Sequence, residues 1–138
     1  MRILNVLTAQ RKTGNTGEDL AARYLKKHKY KILCRNYVGA ATEIDIIAEN
    51  KTTVAFIEVK TRTVGHENSR ESRPAAAVTP EKQRRIISAA KYYIGGHPST
   101  KRISLDIIEV YLNENGTQNK ILHMENAFNV NTAYNKRT

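Results

Sequence analysis

Residues 43–60 read Glu43-Ile44-Asp45-Ile46-Ile47-Ala48-Glu49-Asn50-Lys51-Thr52-Thr53-Val54-Ala55-Phe56-Ile57-Glu58-Val59-Lys60, two apolar runs joined by a short polar one. Both runs are brief and rich in β-branched residues, which favours strands over helices. Glu49-Asn50-Lys51-Thr52 supplies a hairpin turn between them. Successive side chains of a strand point to opposite faces. Thr53 to Lys60 therefore presents Val54, Phe56, Glu58 and Lys60 on one face and Ala55, Ile57 and Val59 on the other. Both faces stay apolar until the last residues, so this strand is read as covered on two sides. In Glu43 to Ala48 the same rule puts Glu43 and Asp45 on one face and Ile44 and Ile46 on the other. Antiparallel pairing sets the start of the first strand beside the end of the second. Asp45, Glu58 and Lys60 then gather at one end of the pair.

Working outward, Thr16 is placed to cap a helix with Asp19 at its third position, and Leu20, Ala21, Tyr24 and Leu25 supply its apolar side. That helix is expected to end near Lys27-His28. A further strand is read over Lys31 to Tyr37. Beyond the hairpin, residues 63–77 show neither helical nor strand period and read as a long loop, with Arg70 and Arg73 available to close over a ligand. Thr79 then caps a second helix with Pro80 in its first turn; Ile86, Ile87, Ala90, Tyr93 and Ile94 form one face, and Gly95-Gly96 ends it. Strands follow over Arg102 to Tyr111 and Asn119 to Met124, separated by a turn at Asn113-Glu114-Asn115-Gly116. The resulting order is α-β-β-β-α-β-β. Residues 126–138 read as a polar tail in which Ala127-Phe128 docks.

A buried strand that finishes in a carboxylate and an ammonium is costly unless those charges meet partners. Asp45 and Glu58 side by side also repel strongly in a low-dielectric site, which a divalent cation between them would relieve. Oxygen-only ligands suit Mg2+ or Mn2+. Asp45 and Glu58 would ligate the metal, and Lys60 would orient a nucleophile or stabilise charge on a scissile phosphate. Glu18 borders the packed side of the first helix and is a candidate for a further ligand. A Glu-x-Lys triplet alone is weak, arising roughly 0.5 times by chance in a chain of this length. A second copy, Glu49-Asn50-Lys51, lies in the turn without an apolar run before it and reads as surface. The position of Glu58-Val59-Lys60, after a buried strand and opposite Asp45, separates it from that copy. The residues leave two readings open: a metal centre, or a structural salt bridge between Lys60 and the two acids.

The 138 residues carry 23 Lys and Arg against 13 Asp and Glu, a formal charge of +10. That excess favours polyanions, since each neutralised phosphate releases counterions, although basic charge also serves solubility alone. Arg62, Lys82 and Arg85 are the candidate phosphate contacts, the last two standing about one helical turn apart beside the apolar stripe. Cys34, the one cysteine, allows no internal disulfide and suits a reducing cytosol. The short apolar stretch at residues 3–7 does not read as a signal peptide, and no run approaches the roughly 20 residues of a membrane span. A cytoplasmic location without membrane attachment is expected. His28, His66, His97 and His123 lack metal-ligand spacing and read as surface or loop residues. Among the tyrosines, Tyr24 and Tyr93 fall on apolar helical faces and read as core. No phosphate-binding glycine loop or nucleophile elbow occurs, so nucleotide hydrolysis and acyl transfer find no support.

Taken together, Gly17-Glu18, Arg35-Asn36-Tyr37, Glu43 to Ala48, Phe56-Ile57-Glu58-Val59-Lys60-Thr61-Arg62, Lys82 with Arg85-Ile86, and Asp106-Ile107-Ile108 resemble the YraN-like bacterial family, UPF0102. The resemblance runs from about residue 11 to residue 128. That family is similar to archaeal Holliday junction resolvases and to the PD-(D/E)xK nucleases. The resemblance implies an α/β, restriction-endonuclease-like fold with a central mixed five-stranded sheet flanked by helices, in one domain over 11–128 with tails at 1–10 and 129–138. It implies a Mg2+-dependent DNA endonuclease acting on branched or junction DNA, with Glu18, Asp45, Glu58 and Lys60 in the motif positions. Symmetric cutting of a four-way junction requires two active sites and hence a homodimer. The alternative is a nucleic-acid-binding module that keeps the fold without catalysis. At one position the chain departs from the family pattern: Thr42 precedes Glu43-Ile44-Asp45 where the family has glycine.

Overall fold

A computed structural model describes residues 16–65 and 78–129. Within them, residues 16–27 form helix α1, followed by strands β1 (Lys31–Gly39), β2 (Thr42–Glu49) and β3 (Thr53–Thr63). Helix α2 (Pro80–Gly96), β4 (Arg102–Leu112) and β5 (Gln118–Met124) complete the order α-β-β-β-α-β-β. The strands make an open mixed sheet in sequential order from β1 to β5, antiparallel except where β3 lies parallel to β4. A parallel pair needs a crossover that leaves the sheet and returns to the same end, and α2 lies within that connection. The expected fold class and element order are those observed. Of the loop read over 63–77, Thr63 ends β3, and residues 66–77, with Arg70 and Arg73, lie outside the described residues.

Two apolar layers cover the sheet. On one side Val54, Phe56, Leu105 and Ile107 pack against Ile86, Ile87, Ala90 and Tyr93 of α2, with Phe128 docked into the same cluster. On the other, Ala55, Ile57, Ile108 and Val110 pack against Ala21, Ala22 and Leu25 of α1. The alternation read for β3 therefore holds residue by residue. Capping explains where α2 begins: the Thr79 hydroxyl accepts the Lys82 N–H at 3.2 Å and Pro80 occupies the first turn. Thr16 is itself helical, so it is not the residue ahead of α1 that the capping pattern suggested.

Alternation fails in β2. Ile44 and Ile47, three residues apart, both face α2, whereas Ile46 and Ala48 face α1. Ile44 and Ile46 were expected on one face, and they lie on opposite ones. The neighbouring strand shows the cause. Arg35 pairs with Ile46 and Tyr37 with Ile44, while Asn36 between them takes a left-handed φ of 54°. One residue out of extended geometry ends the two-residue period in β1, and β2 follows it, so Cys34 and Tyr37 also reach the same α2-side cluster. Asp45 stands at this reversal.

The hairpin turns differ in legibility. Asn50 Oδ1 accepts the N–H groups of Thr52 at 3.0 Å and Thr53 at 2.9 Å, as an Asn in a turn is expected to do. Between β1 and β2, by contrast, Ala40 and Ala41 both adopt positive φ (51° and 65°), where Asn-Gly would be the readable signal. Both strands consequently run further toward each other than their composition suggested. Thr42 pairs with Gly39 at this hairpin end, three positions before Asp45.

Candidate active site

The regular ladder between β2 and β3 ends with Ile46 opposite Ile57. At the next position a side chain takes over from the backbone: the Val59 N–H donates to Asp45 Oδ2 at 2.8 Å. The strands diverge here, and the opening holds the carboxylates of Asp45 and Glu58. Burial and the neighbouring charge of Glu58 push the Asp45 carboxyl up to about 7. The Val59 hydrogen bond opposes this, Glu18 adds to it, and Lys82 partly offsets it. Asp45 is thus a carboxylate with too little positive charge around it.

Glu58 is differently placed. Only 6% exposed, its Oε2 lies 2.7 Å from Lys82 Nζ and 3.3 Å from Lys60 Nζ. Burial works to lower the Lys82 ammonium, but its hydrogen bond to Glu58 and the charges of Glu58 and Asp45 outweigh that and raise it. Lys60 arrives from β3 on the same face as Glu58, as period two requires. Lys82 comes from the first turn of α2 and is brought over by the crossover.

Glu18 reaches the site from α1 and is bound by Arg35 of β1 at 3.3 Å, which also pairs with Asp19 at 2.8 Å. A close backbone approach carries α1 here: a Cβ on Gly17 would overlap Thr61 Oγ1 of β3. Asp45, Glu58 and Lys60 therefore come together where the ladder ends, with Lys82 as a further partner of Glu58, while Glu18, held by Arg35, is near enough for its charge to act on Asp45. Among the described residues, no three carboxylate, imidazole or thiol groups form a closed metal cage. Mg2+, however, commonly uses one or two carboxylates and completes its shell with water and phosphate. An oxygen-only pair that includes an undercompensated carboxylate fits such an ion.

The other two basic candidates are already paired with acids. Arg62 Nε is held by the fully buried Glu109 at 3.2 Å, and its Nη2 is buried without a hydrogen-bond partner. Arg85 is exposed and paired with Glu81 at 2.6 Å, one turn back along α2. Sequence reasoning gave no role to Arg35, Glu109 or Asp106. Glu109, in the middle of an apolar strand and opposite Lys60 in the parallel register, was the readable hint of a charged partner for β3.

A second polar cluster lies on the α1 side of the sheet. His123 Nε2 lies 2.7 Å from Asp106 Oδ2, its Nδ1 is 3.1 Å from the Tyr24 hydroxyl, and the Ser104 hydroxyl and the Asn126 N–H donate to Asp106 Oδ1. With its side chain 6% exposed, His123 is a buried strand residue, contrary to the surface role read from its lack of ligand spacing. Its inward direction on β5 decides this. His28 and His97 are exposed as expected, and His66 lies outside the described residues.

The profile of the uncharacterised protein family UPF0102 matches residues 17–110, from the glycine beside Thr61 through the whole of this site to β4. The chain belongs to the UPF0102 family. A UPF0102 protein of Desulfosudis oleivorans is 39% identical over 129 residues, covering 93% of this chain and 98% of its own length. One from Geobacter metallireducens is 40% identical over 116 residues, covering 83% and 90%. Another from Caldanaerobacter subterraneus subsp. tengcongensis is 43% identical over 117 residues, covering 83% and 93%. The matches cover 90% or more of the length of these three relatives. Among the described residues, no helix is long and apolar enough to cross a membrane.

Proposed function

We propose that this UPF0102 chain is a cytoplasmic, metal-dependent endonuclease that hydrolyses phosphodiester bonds in DNA, with branched or junction DNA as its substrate class and a homodimer as its working form. One observation carries the reading: the Val59 N–H fixes Asp45 Oδ2 at 2.8 Å beside the nearly buried Glu58, where burial and that neighbour's charge push the Asp45 carboxyl up, a state that a divalent cation relieves. Asp45 and Glu58 would hold Mg2+ or Mn2+, with Glu18 at the rim. When bound, such a cation supplies Lewis-acid stabilisation of charge developing on the scissile phosphate and acidifies water for attack. Lys60, 26% exposed and 3.3 Å from Glu58, would turn its ammonium toward a phosphate oxygen or orient the attacking water. The net charge of +10 favours a polyanionic partner.

The test incubates purified protein with four-way, linear and single-stranded DNA and with RNA, in Mg2+, Mn2+ or chelator. Cleavage of DNA that requires metal and disappears in both Asp45→Asn and Lys60→Ala, with binding retained, is the expected result. The competing reading, a non-catalytic binding module, draws on one specific feature: Glu58 already has two ammonium groups within 3.3 Å. Tight binding without cleavage under every condition would establish that module instead.

A further inference from the structure

Lys82 is oddly placed for a residue of a helix start. The N-terminal turn of a helix carries exposed N–H groups and positive potential, which favours acidic side chains and disfavours cations. Lys82 nevertheless sits in the first turn of α2, and its ammonium points inward to Glu58 Oε2 at 2.7 Å, shorter than the 3.3 Å from Lys60. Glu58 is nearly buried, and a buried carboxylate without a counter-charge is costly. Lys82 thus supplies positive charge at the oxygen that a bound ion would need. Its side chain is 38% exposed, so the ammonium has a path out to water.

We infer that Lys82 is a resident counter-ion that holds Glu58 while no metal is present and must release that carboxylate when a divalent cation binds. The inference rests on the metal-centre reading above and adds a competitor to it. Two consequences follow from the geometry. Metal affinity is set partly by the strength of the Lys82–Glu58 pair, because that pair is broken as the ion enters. The released ammonium, on a side chain 38% exposed, would then be available to a phosphate, so metal loading and readiness for the polyanion are coupled.

The experiment measures Mn2+ binding alone, without nucleic acid, by calorimetry and by the spin resonance of free Mn2+. It compares the wild-type chain with Lys82→Met, which keeps the stem and removes the charge, and Lys82→Arg, which keeps the charge. Thermal melts verify that all three are folded. Lys82→Met is expected to bind Mn2+ about fivefold or more tightly, since the ion no longer displaces an ion pair. Lys82→Arg should stay near the wild-type value. Equal or weaker binding by Lys82→Met, with measurable binding by the wild type, overturns the inference and leaves the metal centre standing. Absence of Mn2+ binding in all three overturns both.

Discussion

The backbone N–H of Val59 donates to the carboxylate of Asp45 at 2.8 Å, in the position where the β2–β3 ladder would otherwise continue. A side chain that replaces a ladder acceptor is fixed in space by the sheet itself. It is also drawn among apolar strands, and this accounts for its weakened acidity. The strand pairing and the chemistry of the opening are therefore one arrangement.

Asp45→Asn should raise stability at neutral pH while abolishing cleavage. The native carboxyl keeps its proton up to about 7, whereas its ordinary value is 3.8. Between these values the native state binds more protons than the unfolded chain, so the Asp45 contribution falls as pH rises. Asn removes this loss and retains an oxygen for the Val59 N–H. In denaturant titrations, the variant's advantage should grow from pH 4 to pH 8 and reach on the order of 2 kcal/mol, allowing for solvent at the rim. An advantage that does not change with pH would contradict this origin.

Metal binding should release a proton and weaken in acid. Below pH 7 the ion must displace the proton of Asp45, so Mn2+ affinity should fall, approaching about tenfold per pH unit. Calorimetry in buffers of different ionisation enthalpy reads the released proton directly. Chelation should return the melting temperature to that of the metal-free protein, and the metal-induced rise should be larger at pH 8 than at pH 6.

Asp106→Ala should be among the most damaging changes outside the opening. It leaves the Ser104 hydroxyl and the buried ring of His123 without their shared acceptor, while the Asn126 N–H keeps only Ser104 Oγ at 3.1 Å. A loss of about 3–5 kcal/mol is expected from breaking such a buried pair. Chemical denaturation measures it; a loss below that of an ordinary surface substitution would mean that water replaces the carboxylate easily.

Gly17→Ala should separate α1 from β3, because the added methyl overlaps Thr61 Oγ1 and approaches Thr61 Cβ to 3.2 Å. Overpacking of this kind costs about 1–3 kcal/mol. It also moves Glu18, so cleavage should fall further than stability alone explains. Thr61→Ala in the same chain removes the hydroxyl and should restore much of both, a coupling that a double-mutant cycle quantifies.

The alternation in Thr53 to Lys60 made both faces of β3 legible, and with them the shared face of Glu58 and Lys60. The Thr79-Pro80 start of α2 was equally plain, since an N-cap is local chemistry, whereas the helix takes in Gly95-Gly96 and is capped by His97. The reversal at Asp45 was not legible, because it arises from the left-handed Asn36 on another strand. Lys82 was readable only as a basic residue beside an apolar stripe; its pairing with Glu58 depends on where the crossover sets α2. The burial of His123 likewise depends on Asp106 and Tyr24, which are far from it in sequence. Ala40-Ala41 carries no turn signature, so the neighbouring strand ends were drawn short.

A strand with unbroken alternation can slide two residues along its neighbour and still bury the same kinds of side chain. β1 and β2 lack that freedom. The reversal at Asn36 must meet the reversal at Asp45, or Ile44 and Ile46 would point into the wrong layers. Misaligned hairpins are thereby penalised during folding, and the aspartate proposed as a metal ligand sits at the key that indexes the two strands.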